Sequence, residues 1–435
     1  MSISYKITSD KKEENELYYI ISGRIPANYR YLLNNYDISD PNSESVLKYC
    51  KWEDYRDKEE YKNFMVKNSD YYQTVTKKYT LEDLKDAVLR FLIPKGEDTV
   101  TDNVRKAYKA HLAQMEKTYH HNKSDRLSTD EKKACALVLS YYTGDKVNSD
   151  RLSQNTNAVL RAGNSEKIVK GWDEGERYYP LIYYLTKAIS SLPFYWGYTI
   201  RCIHLSQEQA LSYQPGVVVT WLNWSSSSIG KDPADFCSDR NCYFFIYSFS
   251  SRDITKFSNY ESEKESLYPP FSHFLVFKNE IKNGHHNIYM RQIEIGLYPN
   301  NIIWVDDNIL NKDWENKRLM EMAYYNSKML KIIPKISTET ALAFITSFKY
   351  IINNGGCKYK IMSDMTRYNE NPPKNAGARF VKSLQDAGFS HLDVMIFTSS
   401  RELAINELRK LNANMNSNLK VTTSTSDAVK FLTMN

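Results

Sequence analysis

Two glutamates separated by one residue, Glu263 and Glu265, are the side chains best suited to chemistry in this chain. On an extended backbone an i, i+2 spacing points both carboxylates to one side. Like charges held that close repel unless a cation or an electron-poor centre sits between them, so the pair predicts a site for positive charge. Arg201 on a strand and the run Ser225-Ser-Ser-Ser228 at the end of another are expected to meet the pair in one cleft. The plain alternative is a solvated charged loop, because Glu261 and Lys264 are neighbours. Trp221 and Trp224 are expected to be core, and Gln292-Ile-Glu294, a rival pair inside a strand, structural.

The elements that must position these residues divide into three stretches. Residues 1–75 show no clear period. Helical spacing then predicts helices over 80–92, 103–120, 128–142 (opened by the capping box Ser128-Thr-Asp-Glu131) and 180–192, which Pro193 ends. Strands are predicted over 198–204, 217–224, 243–248, 274–277 and 287–297. Helices followed by strands indicate an α+β domain. From Asn301 onward, strands over 302–305, 330–333, 359–362, 393–397 and 419–422 alternate with helices over 315–326, 338–352, 376–387, 401–411 and 426–432. That alternation predicts a doubly wound, five-stranded parallel sheet. The divisions are thus an unassigned region 1–75, a domain 76–299 with its core at 127–297, and an α/β domain 300–435.

Composition excludes several classes. With 42% hydrophobic residues the chain has ordinary cores, and gross disorder is excluded. A net charge of +6 over 435 residues, with no basic run interleaved with aromatics, gives no case for nucleic acid. Met1 to Asn15 is polar and no apolar stretch approaches membrane length, so neither signal peptide nor membrane span is expected. The six cysteines are scattered, and the reading is reduced thiols in a cytoplasmic protein. His120-His121 and His285-His286 lack partners at ligand spacing and are expected to be loop histidines, not metal ligands.

Taken together, the order arginine, serine cluster, Glu-x-Glu resembles the R-S-E pattern of arginine-specific mono-ADP-ribosyltransferases, the large sets of bdelloid rotifers included. Asn157-Ala-Val-Leu-Arg161-Ala-Gly163, Tyr183-Tyr-Leu-Thr-Lys-Ala188 and the run from Phe257 to Pro270 are similar to segments of that family. The family often has glycine after the strand arginine, where this chain has Cys202. The resemblance implies an α+β ADP-ribosyltransferase domain, a helical part followed by a split β-sandwich. It implies NAD or NADP as co-substrate, no metal for the reaction, and an arginine-bearing protein or small guanidinium as acceptor; no membrane partner is expected, because no apolar span is present. Breaking the nicotinamide–ribose bond builds positive charge on the ribose, which a carboxylate stabilises where water is excluded. The resemblance gives that role to Glu265 and the grip on the guanidinium to Glu263. It gives the diphosphate or ribose side to Arg201, and a ribose hydrogen bond to Ser226, flanked by Ser225 and Ser227. Phe257 and Tyr260 would flank substrate or nicotinamide. An NAD glycohydrolase and a catalytically inactive module that binds NAD or a partner are the alternatives.

In the C-terminal domain Asp306 and Asp307 follow the first strand and Asp364 follows the third, positions that share one crevice of a doubly wound sheet. This acidic set resembles that of a response-regulator receiver (flavodoxin-like) domain, suited to Mg²⁺ or to phosphoryl transfer onto Asp364. Thr422-Thr-Ser-Thr425 follows the fifth strand, where the receiver family has a lysine. Arg367 is expected to partner Asp364.

Overall fold

The computed structural model describes residues 18–21, 78–93, 99–144, 179–215, 218–221, 224–230, 237–270, 272–294, 299–309, 311, 313–327, 330–354 and 357–434. The Asn157–Gly163 motif and all but Tyr18–Ile21 of the unassigned N-terminal region lie outside these residues. The chain divides into two compact units, with Val219–Gln292 in the first and the chain from Ile293 onward in the second.

Among the described residues of the first unit, four helices precede most of the strands: α1 (Leu81–Leu92), α2 (Asp102–Thr118), α3 (Thr129–Tyr142) and α4 (Tyr179–Ser191). Each start has a local cause where its cap is seen. Thr80 with Asp83, and Ser128 with Glu131, form reciprocal capping boxes that satisfy backbone N–H groups at the helix entrance. Leu181, Tyr184, Leu185, Ala188 and Ile189 give α4 its buried face, as their spacing predicts. From Ala134 to Tyr142 every residue of α3 is buried, so its far end lies deep in the unit.

Eight strands form one hydrogen-bonded network: β1 (Tyr18–Ile21), β2 (Phe194–Ile203), β3 (Val218–Trp221), β4 (Ser225–Ile229), β5 (Cys242–Asp253), β6 (Glu265–Tyr268), β7 (Ser272–Lys282) and β8 (His285–Ile293). Their order is β1-β3-β7-β8-β5-β2-β4-β6, with a further pairing of β5 to β6. The helices-then-sheet order matches the expectation, and β6 pairs with β4 through Ser228↔Glu265 and with β5 through Arg252↔Leu267, so the strands are hydrogen-bonded into a continuous surface. The length of β5 permits this: its start pairs with β8, and its last residues turn onto β6. A register shift in β2 between Tyr195 and Gly197 adds local bend. Between β7 and β8, Asn283 and Gly284 both take positive φ, as a two-residue hairpin turn requires.

One cysteine expectation is corrected. Cys202 on β2 and Cys237 form a disulfide, both buried against Ile200, Tyr243 and Phe245. The two are 35 residues apart in sequence, and spacing alone does not show that β2 and the segment before β5 come together. Cys135, Cys242 and Cys357 are free. His285 and His286 are also not loop residues: they open β8, with the Arg240 carbonyl 2.7 Å from His285 Nδ1.

The second unit alternates strand and helix: β9 (Asn300–Val305), α6 (Lys317–Asn326), β10 (Leu330–Lys335), α7 (Thr338–Ser347), α8 (Lys349–Asn354), β11 (Lys358–Asp364), α9 (Ala376–Asp386), β12 (Asp393–Phe397), α10 (Arg401–Lys410), β13 (Leu419–Thr422) and α11 (Thr425–Leu432). The first unit also has a short helix, Gln207–Ser212 (α5). The five strands of the second unit are all parallel in the order β10-β9-β11-β12-β13. Every residue of β9 and β10 is buried, as strands covered on both faces must be. The single helix expected over 338–352 is two, Thr338–Ser347 and Lys349–Asn354, meeting at buried Phe348, whose ring stacks on that of Phe344.

Candidate active site

Glu265 is the first residue of β6, and its backbone is held from two sides. The Ile254 N–H donates to the Glu265 carbonyl at 3.0 Å, and the Ile229 N–H donates to the Lys264 carbonyl at 2.9 Å. Opposite it in the ladder stands Ser228, with Ser226 facing Leu267. Directly opposed residues share a face, so Ser226, Ser228, Glu265 and Leu267 line one side and Ser226 lies diagonal to Glu265. The Glu265 side chain is buried at 8% exposure. Burial pushes its carboxyl up to about 7, against the pull of a Ser226 hydrogen bond and of Arg201; Glu263 adds to the rise.

The two glutamates are not on one extended stretch. Glu263 closes a 3₁₀ turn, Glu261–Glu263, and Lys264 then takes a left-handed conformation with φ 47° that turns the chain into β6. The turn is closed by the Glu263 N–H donating to the Tyr260 carbonyl at 3.1 Å and the Lys264 N–H to that of Glu261 at 3.2 Å.

Arg201 lies near the end of β2. The β2–β4 pairing runs through Thr199↔Ile229 and Ile200↔Ser228, after which Arg201 Nη1 reaches across to the Ser226 carbonyl at 2.6 Å. Its guanidinium stands over the Trp221 ring, 5.4 Å from the centroid. Trp221 and Trp224 are core residues, as expected. Ser225 and Ser227 are buried, and Ser227 donates to the Ser266 carbonyl at 3.1 Å. Ser226 is in contact with both Arg201 and Glu265. Phe257 is buried with its ring edge-on to His121, and Tyr260 is exposed on the acidic turn. Arg201, Ser226 and Glu265 thus converge, with Glu263 on the turn beside them. Gln292 is structural: its Oε1 accepts from the N–H groups of Phe249 and Ser250 at 2.8 and 2.7 Å.

The sequence reading missed Tyr142 and Asn259. Tyr142, at the buried end of α3, accepts a hydrogen bond from the Ser226 hydroxyl at 3.4 Å. Asn259 ties the acidic turn to the same helix end. Helical spacing marks Tyr142 as buried; nothing in the chain pairs it with a serine far along the sequence.

In the second unit Asp306 is buried and accepts from Trp314 Nε1 at 2.9 Å; burial raises its carboxyl. Asp364 is pushed up to about 7, chiefly by burial and next by the Asp306 charge. Asp307 accepts the Tyr368 N–H at 2.7 Å. Arg367 does not bond the Asp364 carboxylate as expected. Fully buried, it donates to the Asp364 carbonyl at 2.7 Å and to Ser363 Oγ at 2.9 Å, and pairs with Glu370 at 2.6 Å. A charge with no route to water must use every donor, and Glu370 with these oxygens supplies the acceptors. Among the described residues no three His, Cys, Asp or Glu side chains are grouped to hold a metal ion. No described helix is long and apolar enough to cross a membrane.

Residues 93–295 match the family model described as NAD:arginine ADP-ribosyltransferase, a segment that contains Arg201, Ser226, Glu263 and Glu265. Among curated proteins the chain is similar to Mav of Mycobacterium avium (strain 104), whose name makes it an NAD(+)--arginine ADP-ribosyltransferase, with 29% identity over 163 residues. That alignment covers 37% of this chain and 18% of Mav, so the chain spans under a fifth of that relative. Among solved structures, the type III effector XopAI from Xanthomonas axonopodis pv. citri is 19% identical with a TM-score of 0.39, covering 54% of this chain and 92% of that one. The ADP-ribosyltransferase HopU1 of Pseudomonas syringae pv. tomato DC3000 is 18% identical with a TM-score of 0.34, covering 49% and 97%.

Proposed function

We propose that the first unit transfers ADP-ribose from NAD to a guanidinium, the acceptor being an arginine of a protein or a small molecule such as agmatine. The observation that carries this reading is the buried Glu265 carboxyl, in contact with Ser226, whose own backbone Arg201 holds. The matched family model gives the same reaction class. NAD is the co-substrate. Its ribose C1′–nitrogen bond breaks and the electron pair leaves with nicotinamide. Ionised Glu265 stabilises the resulting oxocarbenium-like ribose in a water-poor pocket. Ser226 orients Glu265 and the ribose hydroxyls, and Arg201 holds the diphosphate side. A guanidinium nitrogen then bonds C1′, and Glu263 takes the proton it loses. The test is purified protein with labelled NAD and agmatine or polyarginine, beside Glu265→Ala. Labelled acceptor that disappears in the variant supports the reading. Free ADP-ribose without labelled acceptor would replace it with NAD glycohydrolysis.

For the second unit we propose a receiver-like module. Its strand order places Asp306 and Asp307 after the first strand and Asp364 at the end of the third, on one edge of the sheet. Thr423-Ser-Thr425 and not a lysine stands directly after β13, and Arg367 is committed to Glu370, so a phosphate on Asp364 lacks the usual counter-charge. The module is accordingly read as regulatory or binding. Labelling with acetyl phosphate that is lost in Asp364→Asn would instead make it a phospho-acceptor.

A further inference from the structure

The last turn of α3 touches both the serine strand and the acidic turn. Tyr142 meets Ser226, as described above. Ser140 and Thr143, three residues apart and on one face of the helix, receive Asn259. Asn259 Nδ2 donates to the Ser140 carbonyl at 2.7 Å, to Ser140 Oγ at 3.3 Å and to Thr143 Oγ1 at 3.4 Å. The Asn259 N–H donates to the same threonine hydroxyl at 3.3 Å. These contacts use a carbonyl in the helix's final turn, where intrahelical donors run out.

The anchor is itself built in. His111 Nδ1 lies 3.0 Å from Ser140 Oγ, both residues buried. His111 packs so close to Gly144 that a Cβ there would stand 2.5 Å from its ring. From α2, Gln114 Nε2 donates to the Ser258 carbonyl at 3.1 Å, just before Asn259.

The two glutamates therefore depend on different supports. Glu265 is fixed by ladders to β4 and β5, which Asn259 does not touch. Glu263 sits on a short turn that is tied to the helices through Asn259 and Ser258, and by a longer ion pair, 3.9 Å, between Glu261 of the turn and Lys117 of α2. We propose that Asn259 is a positioning residue for the acceptor. By holding the Glu261–Glu263 turn against the end of α3, it sets Glu263 at a fixed place relative to Ser226 and Glu265. The ribose cation is then captured by a guanidinium and not by water. This rests on the transferase reading above.

The test compares wild type with Asn259→Ala, Asn259→Asp, Thr143→Val and Thr143→Ser, measuring agmatine transfer and NAD hydrolysis in parallel. Asn259→Asp keeps the size but loses the Nδ2 donor; Thr143→Ser keeps the acceptor hydroxyl that Thr143→Val removes. The expected result for both Asn259 variants is a rise of about tenfold in KM for agmatine and a comparable rise in the hydrolysis-to-transfer ratio, following loss of charge-bearing loop geometry. KM for NAD should change less than threefold. Thr143→Ser should resemble wild type and Thr143→Val the Asn259 variants. Equal losses of transfer and hydrolysis, or an unchanged ratio, would overturn the positioning role alone. No transfer by wild type would overturn the transferase reading and this inference with it.

Discussion

Glu265 and Ser228 stand directly opposite each other in the β4–β6 ladder, which sets Ser226, two residues earlier on β4, diagonally across the same face from Glu265. A hydroxyl and a carboxyl in that relation are neighbours by register, not by loop conformation.

Replacing Glu265 with Gln keeps the shape and removes the charge. Transfer and hydrolysis should both fall by about 10²–10³-fold, the scale of losing one preorganised electrostatic contact. The measurement is turnover of labelled NAD with and without agmatine. Retention of more than a tenth of either activity would remove Glu265 from its proposed role.

The same substitution makes a prediction about stability. Burial raises the Glu265 carboxyl to about 7, so from the ordinary carboxylate range up to that value the folded protein keeps a proton the unfolded chain has released. Folding stability from this group is therefore present at low pH and lost as pH rises through about 7. Relative to wild type, Glu265→Gln should gain on the order of 3 kcal/mol on going from pH 5 to pH 8. Chemical denaturation of the two proteins at both pH values checks the sign. The rate of NAD cleavage should move the other way, rising through about pH 7 as Glu265 ionises.

Glu263→Gln separates the two chemistries. The carboxylate that takes the guanidinium proton is lost while Glu265 stays in place. Agmatine transfer should drop at least about a hundredfold, the scale of general-base assistance, with hydrolysis of NAD within about threefold of wild type. A parallel fall in both would mean that Glu263 acts on the ribose and not on the acceptor.

The Cys202–Cys237 bridge closes a 35-residue span that contains β3 and β4, and with them the serines of the site. Loop-closure entropy for that span corresponds to roughly 4 kcal/mol of stability. Cys237→Ser should lower Tm, and a phosphine reductant should lower wild type to the same value while leaving the variant unchanged. Because Cys202 adjoins Arg201, NAD affinity should weaken in both cases.

In the second unit, Arg367→Ala would leave Ser363 without a donor and Glu370 with Arg379 as its remaining guanidinium. Because Arg379 still neutralises Glu370, the loss should stay at or below about 3 kcal/mol, the lower end of the cost of breaking a buried pair. Agmatine transfer at a temperature where both proteins are folded should be unchanged, which separates a structural arginine from a catalytic one.

Much of this arrangement is legible in the chain alone. The capping boxes at Thr80 and Ser128 and the apolar spacing of α4 act through neighbours in sequence, so local pattern suffices to locate them. The buried runs of β9, β11 and β12, each followed by a helix, likewise predict a parallel sheet, and the carboxyl-end position of Asp306 and Asp364 follows from it. Residue types and order put forward Arg201, Glu263 and Glu265 as candidates, and Ser226 comes from the resemblance. Other features depend on contacts between distant segments. Only the folded chain brings Cys237 to Cys202, turns Phe257 inward onto His121, and puts Glu263 on a turn ended by left-handed Lys264. It also commits Arg367 to Glu370 and lays Asn259 and Ser226 on one helix end. Local propensity is a property of a few adjacent residues, whereas burial, pairing and a carboxyl raised to about 7 are properties of everything that packs around a group.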